Sequence, residues 1–156
     1  MSPITSPLGD AATHTTGAAL QGALVDLVDL SLVAKQAHWN VVGKRFRDVH
    51  LQLDELVAAA RGFSDQVAER ASALGVSPDG RAGTVTETSG VPRFPEGWQQ
   101  ADAVVNAIVT TLDTVVQRMR ARVDETEKSD PVTQDLLIAV TAKLEEARWM
   151  WQAQLA

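Results

Sequence analysis

Leu20, Leu24, Leu27, Ser31, Ala34 and His38 recur at alternating intervals of four and three residues. On a helix of about 3.6 residues per turn they make one stripe. The pattern predicts a first helix from about Thr15 to Asn40, with His38 closing its inward-facing line. Asn40 and Gly43 bracket a short turn, so the next helix returns antiparallel and brings His38 and His50 to the same end of a hairpin. That second helix, about Lys44 to Leu74, carries Phe46, Val49, Leu53, Leu56, Ala60, Phe63, Val67, Ala71 and Leu74 as its core stripe. Gly75 ends it. A third helix is expected from Trp98 to Thr126 on the stripe Val105, Ile108, Leu112, Val115 and Met119. The fourth starts with Asp130 as cap and Pro131 in its first position, and runs to about Gln154.

Between the second and third helices, VSPDGRAGTVTETSGVPRFPEG gathers much of the chain's glycine and proline. A connection of about 22 residues is unusual in a compact domain unless it carries structure, which predicts a short helix near Thr84 to Thr88. Two hairpins joined by one long connection predict an all-α, ferritin-like four-helix bundle with a long crossover between helices 2 and 3 carrying a short extra helix. Residues 1–12 read as a flexible N-terminal tail and 13–156 as the bundle. At 156 residues and 45% hydrophobic, the chain suits one domain with a substantial core. The opening has no basic segment followed by an apolar run, and no stretch reads as a membrane span of about 20 apolar residues, so a cytoplasmic protein is the expectation.

On the second helix, His50, Asp54, Asp65 and Glu69 lie four, eleven and four residues apart and so share one face. This face lies roughly 145° from the core stripe and points away from the monomer's own interior. His50 and Glu69 are about 28 Å apart along the axis, so a single metal site using both ends needs two chains. The ladder is symmetric about position 59.5, so an antiparallel copy of the helix sets His50 opposite Glu69 and Asp54 opposite Asp65. The crossing falls on Ala58, Ala59 and Ala60, with Gly62 beside them, and these small residues permit close approach about a two-fold axis. Each two-fold dimer would then hold two shared sites.

The absence of cysteine excludes thiolate sites, disulfides and cysteine nucleophiles, leaving imidazole and carboxylate as the strong ligands. Such a mixture suits Fe(II) and Mn(II), and it leaves positions for water, oxygen or peroxide. The formal charge of −6 favours cations over polyanions as guests. Acidic residues on an outward helix face are more often simply solvated. The complete ladder, its mirror symmetry and the alanine crossing together favour the metal site.

HWNVVG from His38 to Gly43, VHLQLD from Val49 to Asp54 and SDQVAERASALG from Ser64 to Gly75 resemble the Dps family of mini-ferritins. The likeness extends over nearly the whole chain, including the long connection and the QDLLIA segment of the last helix; Ser64 departs from the apolar residue usual there. The resemblance implies a homo-oligomer, a hollow dodecamer of two-fold dimers, that oxidises Fe(II) to Fe(III), preferably with hydrogen peroxide rather than oxygen, and stores the ferric mineral, limiting oxidative damage. By position it implies that His38, His50 and Asp54 serve one side of the ferroxidase site while Asp65 and Glu69 come from the two-fold mate. It also suggests Trp39 as an electron-donating aromatic near the iron, for which packing at the helix end is the plain alternative. Glu127, Asp130 and Asp135 fall where the family admits iron through a pore, although each also reads as helix-start electrostatics or a cap.

The family's other activity is DNA compaction, commonly through basic tails. Here no lysine or arginine precedes Lys35 and none follows Arg148, so weak DNA binding is expected. A metal-dependent hydrolase could use the same ligands, but HExxH and GxSxG motifs are absent. Arg61 and Arg70, among the ladder carboxylates, are expected to make structural ion pairs across the interface, and His14 reads as solvated.

Overall fold

The computed structural model describes residues 3–156; the first two residues of the expected tail lie outside the described residues. Its elements in chain order are α1 (Asp10–Asn40), β1 (Val41–Val42), α2 (Phe46–Ala73), α3 (Ala82–Thr88), β2 (Gln99–Gln100), α4 (Ala101–Thr126) and α5 (Pro131–Gln152), with a final 3-10 turn at Ala153–Leu155. This is the all-α ferritin-like bundle: α1 pairs with α2, α4 pairs with α5, and the long crossover carrying α3 joins the pairs. The expected stripes of the first and third helices are buried throughout.

Several expectations need correction. Helix α1 starts at Asp10, so residues 10–12 belong to the bundle rather than to a tail; Asp10 sits in the first turn, where a carboxylate favours the positive end of the helix dipole. The preceding segment is fastened too, with the Ser6 and Thr13 hydroxyls 2.8 Å apart. Phe46 is exposed at the start of α2 instead of joining the core. The periodicity of α1 concealed an apolar window of 18 residues with a mean hydropathy of 1.5, long and apolar enough to cross a membrane by length and composition. In the bundle, 67% of that apolar window is buried against the other helices.

Two local devices shape the ends of α2. Gly43 adopts φ +110 in the turn before it, and β1 pairs in parallel with β2, Val41 with Gln99 and Val42 with Gln100, which ties the hairpin turn to the start of α4. At the other end Gly75 takes φ +73, its N–H reaching the Ser72 carbonyl while the Val76 N–H reaches that of Ala71. This is the left-handed glycine cap that satisfies the last carbonyls of a helix.

The crossover is anchored by charge. Asp26 of α1, wholly buried, accepts from Arg118 and Arg122 of α4, each at 2.7 Å, and from the Gly90 backbone N–H at 2.9 Å. Its two oxygens are thus satisfied by two guanidinium groups and the loop itself, the arrangement a buried carboxylate requires. Trp151 is core and Trp149 exposed, as their two-residue spacing on α5 dictates.

Candidate metal centre

His38 leaves α1 in its last turn and His50 leaves α2 in its second, and the short turn between the helices sets the two rings face to face. Their centroids lie 3.7 Å apart with planes inclined at 19°. His38 Nδ1 donates to the His50 carbonyl at 2.8 Å, and His50 Nδ1 donates to the His38 carbonyl at 2.9 Å. A carbonyl only accepts, so each ring carries a proton on Nδ1, and in its neutral form keeps the Nε2 lone pair for another partner. Metal-binding histidines are commonly oriented by this kind of backbone bond. The Phe46 ring packs on the outer side of His50, with centroids 4.9 Å apart.

Asp54, one helical turn beyond His50, has its Oδ1 3.9 Å from His38 Nδ1. Its carboxylate is half-exposed and accepts a hydrogen bond from the Lys35 ammonium, one turn before His38 on α1. That hydrogen bond, together with the ammonium charge, outweighs the opposing effect of burial and holds the Asp54 carboxyl below the usual aspartate value. Lys35 was missed by ligand spacing because an ammonium is not a ligand; its position three residues before His38 was the available signal.

The remaining ladder carboxylates, Asp65 and Glu69, are exposed farther along α2. Among the described residues of one chain, no three His, Asp or Glu side chains converge closely enough to hold a metal ion. His38, His50 and Asp54 form a cluster at one end of the face, while Asp65 and Glu69 stand about 22 to 28 Å from His50 along the same helix. Between these ends Ala58, Ala59 and Gly62 are exposed, and a Cβ on Gly62 would meet nothing within 4 Å. Ala60, expected both on the core stripe and at the crossing, faces the core.

Other candidates separate. Trp39 is 62% exposed and lines a shallow groove with Leu32 and the crossover residues Val91, Pro92 and Phe94, on a different side of α1 from His38. Asp130 is buried and fully engaged: it caps α5 through the Val132 and Thr133 N–H groups, accepts from the Thr133 hydroxyl at 2.5 Å and pairs with Arg70 at 2.6 Å. Arg70, expected to pair across an interface, is therefore committed within its own chain. Burial pushes the Asp130 carboxyl up, but the bonds from Thr133 and Arg70 and the guanidinium charge outweigh it, and the net displacement is downward. Of the acidic trio expected at a pore, Glu127 and Asp135 remain exposed.

Residues 17–156 match the ferritin-like domain family. The chain is 38% identical over 142 residues to the fine tangled pili major subunit of Haemophilus ducreyi, covering 91% of this chain and 75% of that one. It is 35% identical over 156 residues to the DNA protection during starvation protein of Mycolicibacterium smegmatis, covering 99% and 85% respectively. Among solved structures, Mycobacterium smegmatis Dps in a tetragonal form superposes with a TM-score of 0.94 at 35% identity, covering 99% of this chain and 94% of that one. Dps from Microbacterium arborescens in a high iron form gives 0.91 at 30% identity, with 97% and 98% coverage. With the ferritin-like bundle, the paired histidines and these relatives in agreement, the chain belongs to the Dps family.

Proposed function

We propose that this protein is a ferroxidase that stores iron, taking Fe(II) as its substrate at sites shared between two chains. The observation that carries the reading is the reciprocal tie between His38 and His50, which leaves both Nε2 atoms as lone-pair donors, with the Asp54 carboxylate 3.9 Å from the His38 ring. Asp65 and Glu69 of a second copy complete the donor set when the exposed Ala58, Ala59 and Gly62 surfaces cross about a two-fold axis. Mixed nitrogen and oxygen donors suit iron in both oxidation states. The solved Dps described as a high iron form supports iron as the cargo.

Hydrogen peroxide is the preferred oxidant in this reading. Two Fe(II) ions give one electron each, the O–O bond breaks, and two protons are taken up to release two waters. The ferric product is stored within a cytoplasmic dodecamer, and the cell is spared peroxide and free Fe(II) together. Trp39 is assigned no contact with the reacting atoms, and Glu127 and Asp135 are the carboxylates proposed to admit iron.

Anaerobic addition of Fe(II) followed by peroxide tests the function directly. The expected result is Fe(III) formation at two iron per peroxide, with iron co-eluting with an assembly about twelve times the mass of the chain. Chelator-sensitive ester or amide cleavage without iron oxidation would instead assign the same residues to a hydrolase.

A further inference from the structure

We propose that Lys35 is a built-in counter-cation, whose ammonium occupies the Asp54 carboxylate until a divalent metal ion displaces it. The inference rests on the proposed metal centre and adds to it a residue that sets when the site fills and with what. Lys35 stands one turn before His38, on the same side of α1, and its Nζ donates to the Asp54 oxygen that lies nearest the His38 ring. That oxygen cannot serve a metal fully while the ammonium holds it.

The side chains have the properties a displaceable pair needs. Lys35 is 25% exposed and Asp54 50%, so water screens the pair and breaking it costs little. The ammonium sits on a flexible four-carbon stem that can swing into solvent without disturbing the helix. Asp26 makes the contrast: its cationic partners are two arginines, and it is wholly buried, which makes it a permanent anchor. Charge then favours exchange in one direction. A divalent ion bound by the His38 and His50 nitrogens as well as by Asp54 outcompetes a single ammonium, whereas a monovalent ion does not.

Without Lys35 an empty site would present an uncompensated carboxylate and accept cations less selectively. With it, the first metal ion must displace a positive charge, so affinity is lowered and selectivity for multiply charged ions is raised. Lys35 acts here as a positioning and selectivity residue, touching the proposed ligand rather than the reacting atoms.

The test is a binding titration of the assembled full-length protein with Co(II), which reports coordination spectroscopically without oxidation of Fe(II), in wild type, Lys35→Met, Lys35→Arg and His50→Ala. Lys35→Met keeps the length and apolar stem, and a circular dichroism melt establishes that it folds. The expected result is Co(II) affinity raised about five-fold or more in Lys35→Met, with Lys35→Arg as weak as wild type or weaker, because guanidinium holds a carboxylate more rigidly. The salt dependence of Co(II) binding should also steepen in Lys35→Met, because the uncompensated carboxylate attracts cations more strongly and less selectively. Unchanged or weaker binding in a folded Lys35→Met protein overturns the proposal. If wild type binds Co(II) no better than His50→Ala, the metal centre itself is refuted; if His50→Ala loses binding while Lys35→Met binds Co(II) no more tightly than wild type, only the role of Lys35 fails.

Discussion

The imidazoles of His38 and His50 hold each other in place: they stack at 3.7 Å, and each Nδ1 is bonded to the backbone carbonyl of the other residue. Neither ring is oriented independently, so removing one loosens the second. His38→Ala and His50→Ala should each abolish most of the Fe(II) oxidation rate, and the double variant should be within about two-fold of the worse single. Initial rates of Fe(III) absorbance after peroxide addition measure this. Rates that multiply independently would show that the stack has no part in the chemistry.

Sharing of ligands between chains is checked by complementation. Homogeneous His50→Ala and Asp65→Ala proteins should each lose rapid oxidation. Co-expressed, they form mixed dimers in which the histidines of one chain face the intact carboxylates of the other, restoring one site of two. A recovered rate in the mixed assembly is the expected outcome, and unchanged oxidation in either homogeneous variant contradicts the shared site.

The small residues of α2 should matter to assembly alone. Around Gly62 there is open space within the chain, so Gly62→Leu fits the isolated bundle and even removes an unfavourable helical glycine. Against a second copy the added side chain obstructs the crossing. Native mass spectrometry should show smaller species with helicity retained; an intact wild-type assembly would place the interface elsewhere.

Asp130 makes a stability prediction with a defined pH dependence. Asp130→Ala removes the cap of α5 and leaves Arg70 without its carboxylate, which should cost about 2 kcal/mol at neutral pH. The folded chain holds this carboxyl below its ordinary value, so its contribution is fully present above the usual aspartate range and is lost as pH falls through the lowered value. Urea unfolding should therefore show a constant gap between wild type and variant from neutral to mildly acidic pH, narrowing below about pH 4.

DNA retention should be weak. The formal charge is −6 per chain, and twelve copies would carry roughly −72, with no lysine or arginine in the first 34 residues or after Arg148 to neutralise phosphates. Gel retardation at neutral pH and moderate salt should be absent, and a clear shift would require a basic surface that these termini lack.

How much of this was legible in the sequence depends on the range over which each residue acts. The three- and four-residue stripes specified the four long helices, because helical periodicity is local and burial selects one face. Gly75 and Asp130 marked ends because caps are also local: one needs a positive φ and the other a side-chain oxygen at a fixed offset. The ladder from His50 to Glu69 was legible for the same reason, as a repeat along one axis. Tertiary structure alone decided which polar groups meet across helices. It assigned Arg70 to Asp130, Lys35 to Asp54, and Arg118 and Arg122 to Asp26, and it set His38 against His50 ring to ring. It also turned Phe46 outward onto His50 and gave the apolar length of α1 to the bundle core. Such pairings depend on helix rotation, separation and loop path within a few ångströms, and those quantities follow from packing of the whole chain rather than from the spacing of residues within one element.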